Sequence, residues 1–360
     1  MGDGLEPLSA RLARVERLVE AARRVADPSD VLGRSAREAL PGATGLSREG
    51  VEFALTRCLE TRPTWSELRR LCEAAPPAPR VHVLLSANVF VAAHRAIALA
   101  LASSPRVEVR ASRREPAMAR LLCDGSRGAF RLVEELTPSP GDHVWAYGTD
   151  RTLERVRGEL PAGAVLHAHG AGLGVALIDT DEGTSKLALA ARLLAEDVIA
   201  FDQRGCLSPR VALVTGSEPA ARAFAESLAR ELARLEHDVP RGELTSEELA
   251  EQTRYRDAML YARQLTPAGK GSVGLDLEGG PLAVPPVGRN VQVMRVADPA
   301  GALAPLGSRV TCVGIFGAAW PAERVAAFLP RARVAPLGKM QRPPLDGPVD
   351  LRVEPAGELL

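Results

Sequence analysis

From residue 81 onward the sequence repeats one grammar: a short apolar run, a turn, then a longer amphipathic or small-residue stretch. The apolar run at 81–85 (Val-His-Val-Leu-Leu) is followed by a helical pattern at 92–102, and runs at 107–110, 142–147 and 165–168 alternate with helical patterns at 116–124 and 150–159. A strand that returns through a helix pairs in parallel with its neighbour, and parallel sheets are covered by helices on both faces. The pattern predicts an α/β chain built on a doubly wound, mostly parallel sheet. It resumes after residue 174. Strands at 175–179, 211–215, 291–296 and 310–316 are interleaved with helices at 185–199, 218–235, 246–265 and 321–328, and a Pro-rich tail with an edge strand follows residue 330.

Before residue 81 the pattern is helical. Leu8, Leu12, Val15, Leu18, Val19 and Ala22 recur at three- and four-residue spacing within 5–39, and Asp27-Pro28 and Pro41-Gly42 interrupt it. Ser47 is positioned to cap a second helix ending near residue 60, and Thr64 with Glu67 has capping-box spacing for a third over 64–74. The Pro-rich tract 74–79 then reads as a stiff linker and a boundary.

At 360 residues the chain has room for two domains of roughly 100–200 residues each. With 46% hydrophobic residues it can bury a sizeable core. Lys plus Arg (45) balances Asp plus Glu (45), so the chain lacks the net positive field of a strongly electrostatic nucleic-acid binder. The five cysteines, Cys58, Cys72, Cys123, Cys206 and Cys312, form no Cys-x-x-Cys pair, which argues against a zinc ribbon, a disulfide framework or any metal site. No run of about 18 apolar residues and no leader-like apolar segment is present, so a cytoplasmic, reducing setting is expected.

Among the cysteines, Cys206 has the most informative surroundings. It lies in Phe201-Asp202-Gln203-Arg204-Gly205-Cys206-Leu207-Ser208-Pro209, between a helix and a strand, with Gly205 available for an unusual backbone angle. Such a corner can expose a thiol and aim backbone N–H groups at the same point, which suits nucleophilic attack and oxyanion stabilisation. On the residue alone a packed structural cysteine, the commonest fate of a free cysteine, is the favoured reading. Two glycine clusters are decoys. Gly170-Ala171-Gly172-Leu173-Gly174 has the wrong last spacing and leads into a strand, and Gly269-Lys270-Gly271-Ser272 lacks the earlier glycine of a phosphate loop.

The block Asp202–Pro209 resembles the active-site segment of the acyl-CoA reductase family known from bacterial luminescence (LuxC), a branch of the aldehyde dehydrogenase superfamily. Other blocks occur in matching order. Ser86-Ala87-Asn88-Val89 resembles the segment whose Asn helps form the oxyanion hole. Val109-Arg110-Ala111-Ser112 resembles the strand end that meets the adenosine ribose, and Tyr147-Gly148-Thr149-Asp150 the block leading into the helix beside the dinucleotide. His169-Gly170-Ala171-Gly172 stands where the superfamily has Glu-Leu-Gly-Gly, and 338–344 resembles the family's C-terminal segment.

The resemblance implies an aldehyde dehydrogenase-like architecture. Its parts are an N-terminal helical segment (1–78), a dinucleotide-binding domain (79–173), a catalytic domain (174–332) and a C-terminal segment (333–360). It implies reduction of a long-chain fatty acyl-CoA or acyl thioester to the aldehyde through an acyl-cysteine, with Cys206 as nucleophile and Asn88 as oxyanion donor. The alternatives are a superfamily reductase for a small acyl phosphate or thioester, and a catalytically silent binding subunit. Asn88 also reads as an ordinary turn residue. His169 replaces the water-activating Glu of oxidising relatives; it reads as a proton donor or base, or as a structural histidine. The implied cofactor is NADPH, with NADH as the alternative. Ser86, Arg110, Ser112, Arg113, Gly148, Thr149 and Gly170 are the cofactor-contact candidates, and Arg113 with Arg114 would suit a 2′-phosphate while Glu115 would not. A homo-oligomer formed through segments 125–135 and 333–351, and an acyl-transferring synthetase partner, are further implications.

Overall fold

The computed structural model describes residues 6–180, 183–262, 264–354 and 356–360. Helix α1 (Leu8–Ala26) buries Val15, Leu18, Val19 and Ala22 of the stripe read from the sequence, together with Val25, whereas Leu8 is exposed. Helix α2 (Val31–Thr44) continues through Pro41 instead of stopping there, and the Thr44 hydroxyl closes its last turn on the Leu40 carbonyl at 2.7 Å. Helix α3 (Arg48–Phe53) starts where the Ser47 hydroxyl accepts the Gly50 N–H, and a π-turn ends it at Cys58. Helix α4 (Trp65–Ala74) carries the Thr64–Glu67 capping box.

The alternating grammar then appears as β1 (Val81–Leu84), α5 (Ala92–Ser103), β2 (Val107–Arg110), α6 (Ala117–Gly125), β3 (Arg131–Leu132), β4 (His143–Tyr147), α7 (Asp150–Glu159) and β5 (Val165–His169). It continues as β6 (Leu173–Asp179), α8 (Thr184–Ile199), β7 (Pro209–Thr215), α9 (Glu218–Asp238), α10 (Ser246–Ala262), β8 (Gln264–Ala268), β9 (Gly271–Asp276), β10 (Asn290–Arg295), α11 (Pro299–Leu303), β11 (Val310–Phe316), α12 (Ala322–Phe328), β12 (Arg333–Pro336) and β13 (Glu358–Leu359). None of the described helices is long and apolar enough to cross a membrane.

These elements form two compact units, where the sequence was read as four segments. The first contains 6–44, 54–171 and 342–360, and the second contains 45–53 and 172–341. In the first, a six-stranded sheet has the order β13-β5-β4-β1-β2-β3. The N-terminal stretch does not stand apart, because the apolar face of α1 packs on α5 and α6. In the second, a seven-stranded sheet has the order β12-β11-β6-β7-β10-β9-β8, with Val175, Leu177, Val211, Leu213 and Val313 in its core. The segments expected to mediate oligomerisation hold β3 and β12, each an outer strand of its own sheet.

Strands β3, β8 and β9 and helix α11 were not foreseen, and one helix was drawn too long. The 246–265 helix stops at Ala262, and Gln264 begins a strand that pairs antiparallel with β9. Pro267 cannot continue a helix, and Gly269, at φ 64°, closes the hairpin that carries the Gly269-Lys270-Gly271-Ser272 decoy.

The tail is tied into the first unit by one buried arginine. Arg95 on α5 donates to Glu60 Oε1 (2.6 Å) and to the carbonyls of Pro343 (2.7 Å), Pro344 (2.7 Å) and Gly347 (3.0 Å). Burial pushes the Glu60 carboxyl up, but Arg95 and His94 outweigh it and hold the group at about 2. A carboxyl whose pKa is depressed on folding stabilises above its unfolded pKa, and that contribution disappears as pH falls through the folded value. Here it amounts to about 3 kcal/mol, lost between about pH 4.5 and 2. Replacing Arg95 with Ala is expected to lower unfolding free energy by about 3–5 kcal/mol at pH 7, and by much less at pH 3. Urea titrations at the two pH values check this, and an equal loss at both refutes the electrostatic account.

Candidate active site

The loop that carries Cys206 begins with an unusual backbone. Phe201, Asp202 and Gln203 are consecutive left-handed residues, at φ 53°, 50° and 65°. Gly205, the expected site of the unusual angle, is not among the positive-φ residues. Left-handed geometry costs a non-glycine residue about 1–2 kcal/mol, so the turn requires outside ties.

Asp202 and Gln203, both essentially inaccessible to solvent, supply these ties. Asp202 Oδ1 accepts from Arg289 Nε (2.9 Å), its Oδ2 accepts the Gly242 N–H (3.0 Å), and its carbonyl accepts the Gly288 N–H (3.0 Å). Gln203 Nε2 donates to the carbonyls of Pro209 (2.8 Å) and Asn290 (2.9 Å), and its Oε1 accepts the Asn290 N–H (2.7 Å). Arg204 turns away, with Nε on Glu248 Oε1 (2.8 Å) and Nη2 on the Glu243 carbonyl (2.6 Å).

Beyond the turn, the Ser208 N–H bonds the Gly205 carbonyl (3.1 Å), the Thr311 hydroxyl donates to the Cys206 carbonyl, and Gln341 Nε2 donates to the Leu207 carbonyl (3.0 Å). Cys206 is half-buried and outside any disulfide, whereas Cys58, Cys72 and Cys312 are buried. Burial, followed by the charges of Asp197 and Cys206, raises the pKa of the Cys312 thiol.

Gln341 belongs to the C-terminal block noted in the sequence. Asp197, at the end of α8, accepts the N–H groups of Gly338 (2.6 Å) and Met340 (3.1 Å) and so holds that block. Burial pushes the Asp197 carboxyl up to about 7 against the pull of these hydrogen bonds.

The cofactor candidates meet at one edge of the first unit's sheet. In the parallel register Leu84 lies beside both Arg110 and Ala146, and Tyr147 lies beside His169. The carboxyl ends of β2, β1, β4 and β5 therefore emerge in a row, with Arg110, Ser86, Gly148 and Gly170 at or just past them. The chain leaves β1 toward β2 and β4 toward β5, in opposite directions, so the sheet changes direction between β1 and β4. That crevice is where open α/β sheets bind ligands. Thr149 caps α7 by accepting the Thr152 N–H (3.3 Å). A Cβ on Gly170 would come within 2.8 Å of Asp150 Oδ1, so a larger residue there would push that carboxylate aside. These residues fit a dinucleotide.

Asn88 follows β1 and is exposed. Arg114 Nη2 donates to its Oδ1 at 2.8 Å. Arginine only donates, so the Asn88 carbonyl faces it and the amide N–H groups remain as donors. Ser112 Oγ accepts the Arg114 N–H (3.3 Å), Arg113 is exposed, and Glu115 is buried with its carboxyl on the Met118 N–H (2.8 Å) at the start of α6. Burial pushes Glu115 up to about 7, so the nearby charge the sequence set against a phosphate is half neutral near pH 7.

His169 has its ring inside the unit. It stacks on Tyr147 at 4.4 Å between centroids, and its Nδ1 is 4.0 Å from Asp350 Oδ2. Burial pushes its pKa down to about 4, with Asp350 raising it and Arg352 lowering it, so the ring is neutral at physiological pH. Among the described residues, no group of three or more His, Cys, Asp or Glu could hold a metal ion.

Sequence reading missed Arg289, Asn290, Thr311 and Asp197, and gave Asp202 and Gln203 no role. The available signal was polarity out of place: Asp197 lies on the apolar face of α8, whereas Arg289-Asn290 precedes a strand that itself carries Gln292 and Arg295 and so does not stand out.

Comparison with known proteins agrees with this architecture. The chain has the aldehyde dehydrogenase fold. It resembles an oxidoreductase from Marinobacter aquaeolei (TM-score 0.68, 14% identity, 98% of this chain and 86% of that one). It also resembles a NAD-dependent benzaldehyde dehydrogenase from Corynebacterium glutamicum (0.64, 13%, 91% and 80%) and aldehyde dehydrogenase 21 from Physcomitrella patens (0.65, 13%, 98% and 79%). Comparison with curated proteins gives no match. The profile of the acyl-CoA reductase (LuxC) family matches residues 130–348, more than half of the chain. The protein therefore belongs to that family and is an oxidoreductase of the acyl-reductase class. The matched region contains Cys206, Gly148, Thr149, His169 and Gly170, whereas Ser86, Asn88, Arg110, Ser112 and Arg113 precede it.

A carboxyl whose pKa is raised on folding destabilises the native state as pH rises from the unfolded value through the folded one. For Asp197 the window runs from about 4 to about 7 and corresponds to about 4 kcal/mol. Asp197→Asn is expected to flatten the loss of stability across that window, measured by urea unfolding at pH 5 and pH 8. An unchanged slope would exclude Asp197 as the titrating group.

Proposed function

We propose that this enzyme reduces a long-chain fatty acyl-CoA, or another acyl thioester, to the aldehyde through an acyl-Cys206 intermediate, with NADPH as reductant. The observation that carries this reading is a half-buried cysteine on a loop with extensive polar ties, inside the region that matches the acyl-CoA reductase family. The NAD dependence of the benzaldehyde dehydrogenase of the same fold supports the class of cofactor.

In this reading the Cys206 thiolate attacks the thioester carbonyl carbon, and the C=O electron pair moves onto oxygen. Asn88, with its carbonyl engaged by Arg114, offers an amide N–H to that oxyanion, as does a backbone N–H of the cysteine loop. Collapse expels the coenzyme A thiolate and leaves Cys206 acylated. When bound, NADPH supplies the hydride for the acyl carbon. The second oxyanion is held by the same donors, and its collapse releases the aldehyde and restores the Cys206 thiolate. His169 is given no step here, because its ring is buried inside the first unit and stacked on Tyr147. The missing Glu at position 169 favours this outcome, since no carboxylate there activates water to hydrolyse the acyl-enzyme.

Ser86, Thr149, Gly148 and Gly170 would hold the dinucleotide at the crevice. Arg110 and Arg113 would face its ribose end, with Arg113 the better candidate for a 2′-phosphate because Arg114 is committed to Asn88. A homo-oligomer and an acyl-transferring synthetase partner are extensions of this reading.

Incubation with radiolabelled long-chain acyl-CoA is expected to give a hydroxylamine-labile adduct that mass spectrometry maps to Cys206. Absence of the adduct, or equal labelling of Cys206→Ala, would reject the mechanism. Asn88→Ala is expected to lower the acylation rate about 10²–10³-fold. Arg113→Ala is expected to raise the KM for NADPH and leave that for NADH unchanged in steady-state assays.

A further inference from the structure

We infer that Arg289 is a positioning residue for Cys206, acting through Asp202 to hold the left-handed turn from which the cysteine loop springs. The inference rests on the catalytic reading of Cys206 and adds a determinant of its reactivity.

Three consecutive left-handed residues do not persist unaided, because each relaxes readily to a right-handed or extended conformation. Relaxation at Asp202 would swing everything downstream, and only Gln203, Arg204 and Gly205 separate it from Cys206. Arg289, 1% exposed, opposes this with a fixed fork. Its Nε and Nη2 lie 2.9 and 2.8 Å from Asp202 Oδ1, and its Nη1 donates to the Val239 carbonyl (2.6 Å) and Glu236 Oε2 (3.1 Å). The turn is thus clamped to the C-terminal end of α9.

The neighbours of Arg289 extend the clamp. The Gly288 N–H holds the Asp202 carbonyl, and the Asn290 backbone holds both ends of the Gln203 amide. The same amide bonds the Pro209 carbonyl, beyond Cys206, so the Gln203 side chain closes the 203–209 loop on itself and fastens it to the start of β10. Lysine has no fork and reaches only part of this set. Arg204, the cation nearest in sequence to Cys206, spends its close hydrogen bonds on Glu248 and the Glu243 carbonyl and approaches Asp202 Oδ2 only at 3.9 Å, so it makes the weaker of the two ion pairs with that carboxylate.

The test measures iodoacetamide alkylation of each cysteine in the folded, full-length protein by mass spectrometry, which needs neither substrate nor cofactor. Half-buried Cys123, in the other unit, is the internal reference. In the wild type, Cys206 is expected to react faster than Cys123. Arg289→Met, assayed well below its melting temperature, is expected to slow Cys206 about tenfold or more while leaving Cys123 unchanged, with partial recovery in Arg289→Lys. If Arg289→Met does not fold, Asp202→Asn, which keeps the shape and removes the charge, decides the question by the same measurement.

Fast alkylation of Cys206 in the folded variants, with the wild type also fast, overturns the positioning role and leaves the catalytic reading intact. A wild-type Cys206 no faster than Cys123 overturns both. Slowing of Cys206 and Cys123 together marks general loosening and also overturns the positioning role.

Discussion

In a parallel sheet every strand runs the same way, so the loops that leave the carboxyl ends collect along one edge. This constraint organises the first unit. Four parallel strands bring Ser86, Asn88, Arg110, Ser112, Gly148, Thr149 and Gly170 to that edge from positions as much as eighty-four residues apart in the chain, and the reversal of strand order between β1 and β4 puts the sheet's switch point among them. The helices contribute caps and cover, and their packing leaves the edge accessible.

The second unit solves a different problem. The proposed chemistry asks for a cysteine in a well-defined position outside regular secondary structure. Here a left-handed turn departs from α8 and is held by buried polar groups instead of glycine. A carboxylate, an amide and a guanidinium saturate one another and the backbone around the turn, so its strain is offset locally. Buried charged groups repeat this role at the tail. Arg95 holds the carbonyls of Pro343, Pro344 and Gly347, Asp197 holds the N–H groups of Gly338 and Met340, and the half-buried Arg352 holds the carbonyls of Gly170 (3.2 Å) and Ala171 (2.9 Å). A Pro- and Gly-rich segment with little apolar periodicity is thereby placed by hydrogen bonds to side chains.

Much of the fold was legible in sequence because local pattern and global structure agree. The strand over 107–110 and the helix over 150–159 fall where periodicity puts them, and so does the capping box at Thr64. The reading failed where a long-range partner overrides the local pattern. The β8–β9 hairpin is a strand only because β9 pairs with it, and the first-unit membership of 342–360 depends on contacts with residues far away in sequence. Cys206, Gly148 and Gly170 were legible as motif residues. Arg289 and Asp197 were not, because a charged residue by itself gives no indication of its partner.

The order of residues by itself determined the alternation of strands and helices, hence parallel pairing, and the family-like block around Cys206, because both are encoded in residues close together in the chain. Only the tertiary structure decided that the unusual backbone falls on Phe201, Asp202 and Gln203 instead of Gly205, that Arg114 engages Asn88, and that the His169 ring is buried and neutral. Each of these depends on which distant side chain closes a hydrogen bond or excludes water, and that is settled when the sheets and helices pack.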